Sequence, residues 1–231
     1  DLSNCTSIGD ELYIHDNDDL ESIDLSSLKT VGSYVYIYEN NDLESIDLSS
    51  LEEIGYYFYI FYHDYLEDVW LDSLQVIDGD FYLNDNQAMT DFEAPLLEEV
   101  NGSFQIYGHW SYGIERVYMP SLVSVSSSMT FEYNYALQEV DFSSLTEVGG
   151  NFYYAYNQDL ETIEVSNLEE VGSNFYFYYS TNIDELNLDS LTDISGSMTI
   201  NYNTSLETLY APILESLGDE LKLQENTSLN S

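Results

Sequence analysis

The feature that most constrains this chain is a phrase that recurs every 23 residues. Ser22-Ile23-Asp24-Leu25-Ser26-Ser27-Leu28 returns as Ser45-Ile46-Asp47-Leu48-Ser49-Ser50-Leu51. Its last leucine recurs as Leu74, Leu97, Leu122, Leu145, Leu168, Leu191 and Leu214, always 23 residues on except for one step of 25 between Leu97 and Leu122. Counting back 23 residues from Leu28 reaches Cys5, where Thr6-Ser7-Ile8-Gly9 follows much as Lys29-Thr30-Val31-Gly32 follows Leu28. A unit this short cannot bury its apolar side alone, so neighbouring copies must stack into a continuous core.

Within a repeat, apolar residues fall at the anchor leucine and 3, 7, 9, 15, 18 and 20 residues beyond it, as in Leu28, Val31, Val35, Ile37, Leu43, Ile46 and Leu48. The spacing of two at 7 and 9, and again at 18 and 20, predicts two short strands per turn with those positions inward. The expected fold is an all-β solenoid of about ten 23-residue turns, forming a single repeat domain over residues 1–231 with a register break near 108–113. At about 4.8 Å per stacked turn it makes a rod on the order of 50 Å long. Pro95, Pro120 and Pro212 all stand just before the anchor phrase, at a corner where a missing N–H costs no ladder bond. Cys5 reads as a small hydrophobe of the core, and as a lone thiol it excludes an internal disulfide framework.

The pattern Leu-x-x-Val-Gly, an aromatic-rich strand and Asn40-Asn41-Asp42-Leu43-Glu44-Ser45-Ile46-Asp47-Leu48 resembles the receptor L-domain type of leucine-rich repeat. The resemblance covers nearly all of the chain. It implies a repeat found in the ligand-binding lobes of growth-factor receptors and in cell-wall proteins, and hence an extracellular or cell-surface setting.

Charge narrows the partners. The chain carries 44 acidic and three basic side chains, a net charge of −41, which repels nucleic acid and anionic membranes. Hydrophobic residues still make up 44% of it, enough to fold a core, and no apolar run approaches a membrane span. Such a charge calls for high salt, which shortens the Debye length to about 3 Å at 1 M, or for screening cations.

Several positions form ladders. Twelve residues past the anchor stand Asn17, Asn40, Asn86, Asn134, Asn157, Asn203 and Asn226, expected to hydrogen-bond from turn to turn. Of the four glycosylation sequons, Asn203 and Asn226 belong to that ladder, which leaves Asn4 and Asn101 as acceptors. Eight residues past the anchor, Tyr13, Tyr36, Tyr59, Tyr82, Tyr153 and Tyr176 are expected to point outward and form an aromatic contact face. Glu21, Glu44, Glu67, Glu115, Glu161, Asp184 and Glu207, with Asp24, Asp47, Glu93, Asp141 and Glu164, predict an acidic face of solvated, mutually repelling carboxylates.

A discrete ligand site is expected at the register break, where His109, Trp110 and Tyr112 sit between Gly108 and Gly113 and are followed by the only arginine, Arg116. Catalysis is not expected. The carboxylates recur in one environment, whereas a general acid needs a distinctive one, and His15, His63 and His109 are dispersed over three repeats. No phosphate loop, metal-ligand cluster or cofactor motif is present. The chain opens on the second half of a repeat and closes on the first half of one. Leu2, Cys5, Leu223 and Leu229 are therefore expected at a subunit interface, in a structural protein that stacks head to tail into a filament. The alternative is the repeat region of a surface adhesin or receptor that binds carbohydrate or protein.

Overall fold

The computed structural model describes residues 2–108 and 113–230. All regular structure among them is β, wound into a parallel solenoid with three strands per complete turn. Two sheets have ten strands each. The first is built of two-residue strands, from Ser7–Ile8 to Ser216–Leu217, and the second of longer ones, from Leu12–His15 to Leu221–Gln224. A third set runs from Ser22–Asp24 to Thr208–Tyr210 and is divided into ladders of three, four and two strands, so nine turns are complete.

The sequence pattern showed two of the three strands and missed the two-residue one. That strand presents one inward side chain, such as Val31 of Thr30–Val31, and a single apolar position has no alternation to read.

Register follows the period. Tyr13 pairs with Tyr36 and Ile14 with Ile37, so each side chain meets its counterpart from the next turn. The step changes from 23 to 25 where Asp91 pairs with Arg116 and Phe104 with Met129, which places the two extra residues between Tyr107 and Arg116.

The core lies along the axis, and the predicted inward set is there: Leu28, Val31, Val35, Ile37, Leu43, Ile46 and Leu48 are at most 1% exposed. Burying one such side chain is worth about 1.5–3 kcal/mol. Phe58, Phe81, Phe104, Phe131, Tyr154 and Phe177 form an internal aromatic column with centroids 4.5–5.7 Å apart. The Tyr154 hydroxyl is buried there without a hydrogen-bond partner.

Each turn leaves the second sheet through the asparagine ladder. Asn157 Nδ2 donates to the Phe131 carbonyl of the preceding turn at 3.1 Å, while its Oδ1 accepts the Asn134 backbone N–H at 3.1 Å. Asn203 does the same with Phe177 and Ser180. His63 occupies this position in the third turn. Its neutral ring reproduces both bonds, Nε2–H donating to Ile37 O at 3.2 Å and Nδ1 accepting the Asn40 N–H at 3.3 Å. Burial holds its pKa below the usual 6.5. Just before each rung the backbone is left-handed, with φ of 49–61° at Glu39, Tyr62, Tyr133, Tyr156, Tyr179, Tyr202 and others.

Candidate functional site

The three strands of a turn present three outer faces, and their chemistry separates them. The third set has eighteen outward strand positions, nine of them acidic: Asp24, Asp47, Asp68, Asp91, Glu93, Glu139, Asp141, Glu164 and Glu185. The second sheet has twenty-two, counting the left-handed Tyr62 and Asp85, of which Asp85 and Glu132 alone carry carboxylates and Lys222 alone an amine. On a chain with 44 acidic residues in 231, this sheet has been kept clear of charge.

The predicted tyrosines stand on that face. Tyr13, Tyr36, Tyr59 and Tyr82 follow one another at 5.3–5.5 Å between ring centroids, and Tyr153 meets Tyr176 at 5.7 Å. Gln105 and Thr130 interrupt the row. Beside it, His15, Tyr38 and Phe61 stack at 4.9 and 5.0 Å with planes within 4°. A shallow depression of 300 Å³ lies among Tyr36, Tyr59, Phe61, Tyr62, Tyr82 and Gln105. Crowding affects the phenols: the hydrogen bond between the Tyr38 and Tyr13 hydroxyls, which holds the Tyr38 proton, pushes the Tyr38 pKa to about 12, and burial does the same for Tyr59 and Tyr153. Glu132, partly desolvated among its neighbours, has a raised carboxyl pKa.

A second aromatic column escaped the sequence reading. Tyr133, Tyr156, Tyr179 and Tyr202 stack along one edge of this face at 4.9, 4.7 and 4.7 Å, with interplanar angles of 15°, 8° and 1°. Each takes the left-handed position before a rung, which is an asparagine except after Tyr179, where it is Ser180, and that conformation is uncommon for a bulky residue. Their 23-residue spacing was visible in the sequence. Their role was not, because the position lies outside the alternating strand pattern.

The acidic face is more organised than a row of free carboxylates. Asp24 Oδ1 accepts both the backbone N–H and the hydroxyl of Ser26, and Asp47 and Asp141 accept the backbone N–H groups of Ser49 and Ser143. These aspartates fix the corner after the third strand, and the Ser26 bonds lower the Asp24 pKa. Arg116 spans two acids of the turn before, with Nε 2.8 Å from Asp91 and Nη2 2.7 Å from Glu93. That contact lowers the Asp91 pKa and places Arg116 on the acidic face. Lys29 likewise bridges to Glu52 of the next turn at 2.8 Å. Among the described residues no group of three or more His, Cys, Asp or Glu side chains is arranged to hold a metal.

His109, Trp110 and Tyr112, expected at the register break, lie outside the described residues. Asn4 and Asn101 are exposed, and Asn101 donates to Asp78 at 3.1 Å; Asn203 is fully buried in its ladder. At the first and last turns Leu2 is 56% and Leu223 45% exposed, whereas Cys5 and Leu229 are partly buried against the core.

No helix among the described residues is long and apolar enough to cross a membrane. No curated protein and no solved structure matches the chain. The profile of the receptor L domain matches residues 4–94, and that of the BspA type leucine rich repeat region matches residues 105–221 in six copies. With the solenoid, its period and these matches in agreement, the chain belongs to the leucine-rich-repeat proteins of BspA type, and its residues 4–94 are similar to the receptor L domain.

Proposed function

We propose that this chain is a structural or adhesive repeat region at the cell surface, and that it works by contact across the outer face of its second sheet. The observation that carries this reading is that two carboxylates, Asp85 and Glu132, stand among that face's twenty-two outward positions, against nine among eighteen on the third set. Depletion of charge beneath aromatic side chains is what separates the centre of a contact surface from ordinary protein surface. No reaction is assigned to it, since the arrayed carboxylates provide one recurring environment and His15 and His63 stand in different turns. Beads coated with the chain should adhere to a neutral polysaccharide or protein surface, or to each other, in molar salt. Tyr59→Asp combined with Tyr153→Asp should reduce adhesion more than about tenfold, as expected for lost hot-spot contacts. Unchanged adhesion would move the function off this face.

Head-to-tail stacking into a filament is a second reading, favoured by the exposed inward-type side chains Leu221 and Leu223 of the last turn. A following turn, from this chain or another, would bury them. Salt or cations would have to screen subunits of −41 each. Coaxial particles in electron micrographs, lost on Leu223→Asp, are the expected result. A separate ligand subsite at Trp110 and Tyr112, with His109 and Arg116 as polar contacts, is tested by Trp110→Ala with Tyr112→Ala, which should remove ligand binding and leave the fold intact.

A further inference from the structure

We infer that the partner of the charge-poor face is a second copy of this chain, packed sheet against sheet. The inference rests on the contact reading above and names its occupant.

Four observations lead there. First, the face lacks the charges that would recognise a charged partner. An anionic surface is repelled by the whole molecule, and a basic one would find its carboxylates on the other two faces. An uncharged face fits another uncharged face, and a second copy supplies one.

Second, the clearing extends to the edges in the second half. Along the turns that hold Thr130, Tyr153, Tyr176 and Thr199, the position two residues before each of these is Ser or Asn, and the position three residues after it is one of the four stacked tyrosines. A contact there could reach the full width of the sheet before it met an acid other than Glu132.

Third, the area suffices. Ten strands at about 4.8 Å spacing, eight of four residues and two of six, at about 3.3 Å per residue cover roughly 700 Å². Two copies would bury about 1,200–1,600 Å², the size of a stable specific interface.

Fourth, the rings pack on one another along the solenoid axis, stacked within 18° for Tyr13 and Tyr36 and within 4° for Tyr38 and Phe61, tilted by 43° and 56° from Tyr36 through Tyr59 to Tyr82, and edge-to-face at 74° for Tyr153 and Tyr176. Each ring is thus engaged by its neighbour in the row, and no two of them leave a flat, open face between them. That is a poor platform for a planar ligand and a good comb for interdigitation with a like sheet at about 10 Å. A two-fold axis through the face closes the pair and turns both acidic faces away from the contact.

Sedimentation velocity of the full chain in dilute buffer and in molar potassium chloride tests this. The chain should be monomeric in dilute buffer, where −41 repels −41, and dimeric in molar salt, with affinity at least about tenfold higher once repulsion is screened. Tyr153→Asp with Tyr176→Asp should remain monomeric in both, and Leu223→Asp should dimerise as the parent does. A measurement on the unmodified chain guards against misfolded variants: acetylation of Tyr153 and Tyr176 by N-acetylimidazole should slow in molar salt relative to Tyr65, which is 60% exposed outside this face. A monomer under all conditions, or assembly lost on Leu223→Asp and kept in the tyrosine variants, overturns the second copy as partner. If the chain stays monomeric while the tyrosine variants lose adhesion to a neutral polysaccharide, the contact face stands and its occupant is the polysaccharide.

Discussion

The two halves of the solenoid share a backbone plan and differ in how they treat the edge of the second sheet. In the first half the left-handed edge positions are Asp16, Glu39, Tyr62 and Asp85, so the tyrosine rows are rimmed by acids and Tyr62 has no tyrosine above or below it in that column. In the second half the same positions are Tyr133, Tyr156, Tyr179 and Tyr202, which stack on one another, and then Glu225 in the last turn, while the strand row thins to Tyr153 and Tyr176. Aromatic stacking has moved from the strand to the edge. A left-handed backbone can hold a bulky ring when stacking compensates the strain, and one ring alone lacks that compensation. The acid rim keeps the first half wetted at its border, whereas the second half from Met129 to Tyr202 is cleared of charge to its edge apart from Glu132, with charge returning at Glu220, Lys222 and Glu225 of the last turn.

The largest expected effect sharpens the comparison at the rungs. Asn157→Leu in the second half strands the Asn134 N–H and the Phe131 carbonyl in the interior, and should cost about 2–4 kcal/mol in denaturant unfolding, since each orphaned group costs about 1–3 kcal/mol. His63→Asn in the first half should leave stability at neutral pH nearly unchanged, because Asn makes the same two bonds elsewhere in the ladder. It should instead change the pH dependence. The folded pKa of His63 is depressed, so the unfolded chain takes up the proton first, and stability falls as pH drops through 6.5 towards the folded value. In His63→Asn that decline should be reduced; an unaltered pH profile would mean that His63 is not the buried neutral rung.

The edge columns should respond unequally. Tyr156→Gly loses two stacked neighbours and should destabilise by about 1–2 kcal/mol, given about 0.5–1.5 kcal/mol per aromatic pair and a partial return from relieved backbone strain. Tyr62→Gly loses one edge-on neighbour, Phe61 at 5.1 Å, and with relieved backbone strain offsetting that contact it should cost less than about 1 kcal/mol by thermal unfolding. Equal losses at both sites would erase the distinction between the halves.

Tyr154→Phe should stabilise the second half by about 1 kcal/mol, because it removes a buried hydroxyl with no partner and keeps the ring between Phe131 and Phe177. Arg116→Gln, at the junction of the halves, should cost no more than about 1 kcal/mol, since its contacts with Asp91 and Glu93 are over 40% exposed and screened. A larger loss, read from the same unfolding curves, would show that the one arginine clamps the register break.

The sequence by itself determined the period, the inward set, the asparagine ladder and the outward tyrosines, because in a stacked solenoid each of these is a one-dimensional pattern repeated at fixed offsets. Leu28, Val35 and Ile37 announce their burial by spacing alone. Other features were decided by tertiary structure. The two-residue strand has too few residues to alternate, and the strand-like status of Thr30–Val31 depends on the turns beside it. The tyrosine edge column and the histidine rung share an offset with their neighbours in sequence, yet their meaning depends on a left-handed φ and on carbonyls from the preceding turn, which composition does not carry. The same holds for the acids: 44 carboxylates can be counted along the chain, but that they leave one sheet almost bare and fill nine of eighteen outward positions on another follows only from how three strands divide each turn among three faces.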